Sequence, residues 1–151
     1  SDLSNSNFEG VNLAPKLQYS KTFENKAYLI GDVTQSSENE IKIRDELFGV
    51  DGNIPFLLLI FSAEVDGNDL TVNYGFRNNF GLANLENANF KNADLRFVDF
   101  YSASLVNADL SGADLTNAIL LGADLEGAIL DNAILSNANL KCINHPICLN
   151  E

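Results

Sequence analysis

The chain has 151 residues, 46% of them hydrophobic, with 21 acidic against 9 basic side chains and a net charge of −12. That length suits one domain with an ample core, and the charge argues against nucleic acid or an anionic membrane surface as partner, because no basic patch is present to meet phosphates. The longest apolar run, Ile54 to Phe61, holds Pro55 and falls well short of the roughly 20 residues that span a bilayer, so a soluble protein is expected.

In chain order, the windows Ser1-Asp-Leu-Ser-Asn, Ser6-Asn-Phe-Glu-Gly and Val11-Asn-Leu-Ala-Pro place Leu3, Phe8 and Leu13 at the centre of successive groups of five. The start at Ser1 and the absence of methionine fit either a processed or an engineered terminus. After Leu13 the five-residue phase is lost. It returns, shifted by two, in Ala63-Glu-Val-Asp-Gly, Asn68-Asp-Leu-Thr-Val and, less well, Asn73-Tyr-Gly-Phe-Arg. Residues 14–62 therefore read as an insertion. Its strand signals are Ala27-Tyr-Leu-Ile, Ile41-Lys-Ile and the run Ile54 to Phe61, separated by turn-rich segments at 34–40 and 49–53. A hairpin or small sheet packed on the first coil is expected, with Asp45-Glu-Leu-Phe as a helical turn in the alternative. The run from Ile54 reads as a buried strand capping the open end of the repeat, or else as an exposed recognition strand.

From Phe80 to Leu140 a large apolar residue recurs at every fifth position, with a small apolar residue two places before each from Leu85 onward, as in Ala83–Leu85 and Ala108–Leu110. At about 100° per helical residue, five residues step by about 140°, so these side chains would scatter around a helix. A flat strand of period two sends successive leucines to opposite faces. A chain that turns a corner every five residues satisfies the pattern. The Ala and Leu of each group then point inward from a short strand, and Asn and Gly stand at the corner, where turn dihedrals are needed. Four corners close a square, so inner columns follow at twenty-residue intervals: Phe80, Phe100, Leu120, Leu140, and Leu85, Leu105, Leu125.

Windows such as Ala108-Asp-Leu-Ser-Gly, Ala113-Asp-Leu-Thr-Asn and Ala123-Asp-Leu-Glu-Gly resemble the A(D/N)LXX motif of the pentapeptide-repeat proteins, a family abundant in cyanobacteria. The resemblance covers about half of the chain and implies an all-β fold, a right-handed quadrilateral parallel β-helix, here with an inserted β-rich segment. It implies little about activity. The expected organisation is a first coil at 1–13, the insertion at 14–62, the β-helix at 63–141 and a C-terminal cap at 142–151.

At that cap His145 stands where the next leucine is due, followed by Pro146, and the two cysteines Cys142 and Cys148 lie six apart. A disulfide pinning the cap is expected. The rival reading, zinc on Cys142, His145 and Cys148, lacks a fourth ligand. If the bond forms, the compartment is oxidising, a periplasm or, by resemblance to cyanobacterial members, a thylakoid lumen; otherwise it is the cytoplasm. No metal, cofactor or catalytic residue is expected. One histidine offers little for a nucleophile and base pair, and Asp66-Gly-Asn-Asp69 lacks the spacing and terminal Glu of a calcium loop.

Function must therefore lie in departures from the repeat. Ile119, Ile129 and Ile134 replace the outward Asp or Asn, and Leu121 falls on the same side as Ile119 and, one coil earlier, Tyr101. These five residues form the candidate partner surface, unless the tail with Ile143, Ile147 and Leu149 folds over the isoleucines. The expected role is a non-enzymatic scaffold for protein interaction or structural support, with an unidentified protein partner or weak homodimerisation. The alternative is a DNA mimic acting on an enzyme such as gyrase, since Asp99, Asp109, Asp114, Asp124 and Asp131 line coils free of Lys and Arg.

Overall fold

A computed structural model describes residues 1–16, 19–29, 46–48 and 58–149. The turn-rich segments at 34–40 and 49–53, the strand signal at 41–43 and residues 54–57 of the apolar run lie outside the described residues. The chain divides into two compact units, Ser1–Pro15 with Asn78–Glu151, and Lys16–Arg77.

The first unit is the β-helix. Parallel bridges join Asn79 to Asp99, Asn84 to Ser104, Asn89 to Asp109 and Asp94 to Asp114, so residues twenty apart stack on one another, and the pattern repeats one coil later. Each coil has four sides. Side one carries Asp2, Asn84, Ser104, Asp124 and Ile143; side two Asn7, Asn89, Asp109 and Ile129; side three Asn12, Asp94, Asp114 and Ile134; side four Asn79, Asp99, Ile119 and Asn139. The first coil is assembled from two distant stretches. Leu3, Phe8 and Leu13 supply three sides and Phe80 the fourth, and the Asn78 side-chain amide donates to the Leu13 carbonyl at 2.7 Å across the gap.

Inside, Leu85, Phe90, Leu95, Phe100, Leu105, Leu110, Leu115, Leu120 and Leu125 are all fully buried. Each is worth on the order of 1.5–3 kcal/mol relative to exposure. Aromatic rings fill the N-terminal half: Phe8 stacks on Phe90 at 4.7 Å and Phe80 on Phe100 at 5.7 Å. The aliphatic columns continue below them.

The corners depend on left-handed backbone. Asn87, Asn92, Asn107, Asn117, Asn132 and Asn137 have φ between 55° and 59°, and Gly112, Gly122 and Gly127 lie between 66° and 71°. Asn tolerates this region better than other side chains, and Gly adopts it freely. At each corner the N–H of the small residue closes a turn onto the preceding central carbonyl, as in Ala113 N to Leu110 O at 3.0 Å.

The second unit is a three-stranded antiparallel sheet in the order β1-β3-β2, formed by β1 (Tyr19–Phe23), β2 (Leu58–Asp66) and β3 (Asp69–Phe76). Leu29, Leu70 and Val72 form its buried core, with Phe23, Phe48, Ile60 and Tyr74 packed around them. This corrects the expected boundary at 63. The windows at Ala63 and Asn68 are the two arms of a hairpin in which Val65 pairs with Leu70 and Gly67 turns at φ 61°. A strand also sets residues of one face two apart, so Ala63/Val65 and Leu70/Val72 reproduce the Ala–Leu spacing of a repeat, although only Leu70 and Val72 are buried. The two-residue turn then restores the interval of five by coincidence. The repeats resume at Asn79. The strand signal at Ala27 is likewise a 3-10 turn over Ala27–Leu29, with Leu29 N bonded to Lys26 O, while residues 46–48 are helical.

Cys142 and Cys148 form a disulfide, and both sulfur-bearing residues are buried against the solenoid core. Ile143 continues side one above Asp124, and the chain then crosses back so that Leu149 N donates to Leu140 O at 2.8 Å.

Two outcomes follow from this architecture. A Cβ on Gly112 collides with the Oδ1 of Asn92 in the coil before it, so Gly112→Ala should lower the unfolding free energy by about 1–2 kcal/mol through backbone strain alone. Adding Asn92→Gly should recover only the part due to the collision, as measured by urea denaturation. Reducing the disulfide should cost about 2 kcal/mol on the chain-entropy account of so short a loop. It should also speed hydrogen exchange at the Ile143 and Leu149 amides.

Candidate protein-interaction site

The outward column of Asp and Asn has a structural task. Oδ1 of Asn84, Asn89, Asp99, Asp109, Asp114 and Asp124 accepts the backbone N–H two residues on, at 2.7–3.1 Å across the set that also includes Asn79. Each such side chain holds the entry to its corner, an Asx turn. The carboxylates are thus partly committed to their own backbone. Basic side chains engage two of them further: Arg96 forks onto Asp94 with hydrogen bonds of 2.8 and 2.7 Å, and Lys91 lies 3.9 Å from Asp109. The Arg96 guanidinium holds the Asp94 carboxyl below the ordinary aspartate range, and hydrogen bonds from Ser111 do the same for Asp109.

The isoleucines forgo this bond. Ile119, Ile129 and Ile134 occupy cap positions with side chains that accept nothing, and the structure places them on sides four, two and three, so they are not one surface. Ile119 is half-buried, whereas Ile129 and Ile134 are exposed and left uncovered by the tail. Tyr101 and Leu121 do come together. They stand one above the other just past side four, 45% and 39% exposed, with Ile119 beside them.

A fourth member was missed in the sequence. Leu82 N donates to Tyr101 O, as Ser102 N does to Leu121 O, so Leu82 heads the adjoining column, above Ser102, one residue along the corner from the column of Tyr101 and Leu121. It is 72% exposed and has φ 60°. A bulky residue in left-handed backbone is strained by roughly 1–2 kcal/mol, and its side chain gains nothing here from burial. The signal was legible: Leu82 stands at a corner position that Ser102 and Gly122 fill in the next two coils.

The second unit holds a polar surface cluster. Tyr28 donates its hydroxyl to Glu46 Oε1, while Lys26 donates to Tyr28 at 3.1 Å and to Glu46 at 3.4 Å. The Tyr28 contact raises the Lys26 pKa and lowers that of Glu46. Tyr28 and Glu46 are exposed and Lys26 is half-buried, and together they tie the helical residues at 46–48 to the 3-10 turn. Among the described residues no group of His, Cys, Asp and Glu is arranged to hold a metal ion, and no helix is long and apolar enough to cross a membrane.

Because the Asp94 and Asp109 pKa values are depressed on folding, their stabilisation is whole above the unfolded aspartate value and drains as pH falls through the folded one. Arg96→Gln should therefore flatten the loss of stability below about pH 4, read from urea midpoints across the acid range.

The family model described as pentapeptide repeats matches residues 79–117 and 108–141, with eight copies. No curated protein matches. Among solved structures, HetL from Nostoc sp. strain PCC 7120, a pentapeptide repeat protein involved in heterocyst differentiation regulation, is 35% identical over 45% of this chain and 41% of its own, with a TM-score of 0.38. A pentapeptide repeat protein of the Arabidopsis thaliana thylakoid lumen is 32% identical over 48% of this chain and 59% of its own, at TM-score 0.30. The aligned part is thus less than two-thirds of either relative. Rfr23 from the cyanobacterium Cyanothece 51142 is 20% identical over 91% of this chain and 85% of its own, at TM-score 0.26. The right-handed quadrilateral β-helix at residues 79–141 belongs to the pentapeptide-repeat family.

Proposed function

We propose that the protein is a non-enzymatic scaffold that binds another protein through the corner strip of Leu82, Tyr101 and Leu121, flanked by Ile119. The observation that carries this reading is Leu82: an exposed leucine in left-handed backbone costs stability and returns no packing. Strain held at the surface is accounted for when the side chain has a use outside the fold. Tyr101 and Leu121 stand in the adjoining column of the next two coils, so the three side chains line one corner, on a surface whose other outward positions are mostly Asp, Asn and Ser. The acidic columns support no separate reading as a nucleic-acid mimic, because their carboxylates cap turns and two are engaged by Arg96 and Lys91. We also place the protein in an oxidising compartment, a periplasm or a thylakoid lumen, on the strength of the Cys142–Cys148 disulfide.

Leu82→Asn separates stability from binding. Asn relieves the backbone strain, so the melting temperature should rise by the equivalent of about 1 kcal/mol, while a photo-crosslinker at position 101 should lose its adduct in extracts of the source cells. The same crosslinker at Ser136, on another side, should yield no such adduct in either background. Equal adducts from both positions, or an adduct at 101 untouched by Leu82→Asn, would refute the strip as the binding site.

A further inference from the structure

The fourth coil ends in an unfinished step. In the coil before it, Leu110, Gly112, Leu115 and Asn117 donate their N–H groups to Ile129, Asp131, Ile134 and Ser136. The corresponding donors of the fourth coil, Leu130, Asn132, Leu135 and Asn137, have no acceptor among the described residues, and neither do the carbonyls of Ala128 and Ala133 have a donor. The tail completes only part of a fifth coil. It pairs on side one, where Ile143 N meets Ala123 O and Leu125 N meets Ile143 O, and it returns to side four through Leu149. Sides two and three are left one coil lower, with Leu130 and Leu135 only half-buried where the leucines of the coil before are sealed.

We propose that this end docks a second copy of the chain about a two-fold axis. Two-fold contacts are self-complementary, and a half-raised end fits a copy of itself when each tail lies over the other's open half. Four sides taken in order allow one such arrangement: side one of each copy over side two of the other, and side four over side three. The open edges of sides two and three then gain antiparallel neighbours, as two-fold symmetry requires of edge strands. Ile129 of each copy faces Ile143 of the other across the joint, and both are exposed in the single chain.

Charge selects this end for the contact. The whole chain carries −12, yet residues 127–149 hold only Asp131 and Lys141, which cancel. Two copies meeting along the columns of Asp99, Asp109, Asp114 and Asp124 put acid against acid; at this end they meet a surface with little net charge, flanked by Asp124 and Glu126. The isoleucines fit the same account. At sides two and three the previous coil has Asp109 and Asp114, whose Oδ1 atoms cap the turns to Ser111 and Thr116, and the fourth coil gives up both caps for Ile129 and Ile134.

The test uses the disulfide-bonded chain in analytical ultracentrifugation over a hundredfold range of concentration, with amide hydrogen exchange on the same samples. The expected result is a monomer–dimer shift, with slowing of exchange at Leu130, Asn132, Leu135 and Asn137 that grows with concentration. The double variant Ile129→Asn, Ile134→Asn restores the turn caps, so it should melt higher than the wild type and yet dissociate at least tenfold more readily. A monomer at every concentration with fast exchange at the four amides overturns the proposal. So does a monomer in which those amides are protected throughout, since the chain would then cover its own edge. A dimer indifferent to the double variant, with the four amides still exchanging fast, places the contact elsewhere and overturns it as well.

Discussion

Everything in the β-helix depends on the ladder of backbone hydrogen bonds between residues twenty apart, because the ladder forces each coil to repeat the path of the one before. A coil has no hydrogen-bond partner of its own except across its corners; its sides bond only to neighbours, as in Leu105 N to Asp124 O and Asp124 N to Ala103 O. The corners are therefore obliged to be superimposable. That is why left-handed φ recurs at matching positions, and why Asn92 in one coil is met by Gly112 in the next: Gly leaves the room that the Asn side chain fills. Stability of such an array is close to a sum over coils and their interfaces, and a coil with one neighbour holds half the ladder of a coil with two.

This constraint made the solenoid legible. Period five, the Ala–Leu spacing and Asn or Gly at the corners together define a square coil, and the twenty-residue columns read from the sequence are the ones that pair, with Asp94 beside Asp114. The insertion was read less well because a hairpin shares the repeat's local spacing. Val65 and Leu70 are five apart for a reason of turn length, and only the register of β2 on β3 tells the two cases apart. The splice at the first coil was hidden for the same reason. Nothing local in Leu13 or Phe80 announces that they are consecutive sides, and a long excursion between them is allowed because it leaves and returns at neighbouring corners, held by the Asn78 to Leu13 bond.

The candidate surface was half legible. Tyr101, Ile119 and Leu121 were found as apolar side chains in outward positions, and the column geometry joins them. Ile129 and Ile134 look equivalent to Ile119 in sequence but stand on other sides, since a shift of five residues turns the side chain by a quarter of the coil. Leu82 escaped notice because a leucine excites no suspicion by composition. Its oddity is positional, a leucine at the corner that Ser102 and Gly122 fill in the next two coils, and φ shows what that position costs. The outward Asp and Asn face solvent, and each Oδ1 also holds an N–H two residues on, as at Asp114 to Thr116.

That second role changes what a departure from the motif means. If outward Asp and Asn served only solubility, replacing one by Ile would cost little, and three such replacements would be drift. Each replacement instead gives up a turn hydrogen bond, which contributes on the order of 0.5–1.5 kcal/mol. Each also exposes an apolar side chain unless something covers it, and the chain covers only Ile119 in part. Leu82 makes the same exchange through backbone strain. These residues fall in two places, the corner strip past side four and the open step of the fourth coil, and at both the fold gives up stability for apolar surface that its own core does not use. A one-dimensional array can tolerate such losses locally, because a weakened corner lowers the stability of its own coil and its two interfaces without altering the path of the coils beyond. The same ladder that makes the fold repetitive thus lets single positions be released for contact with other molecules.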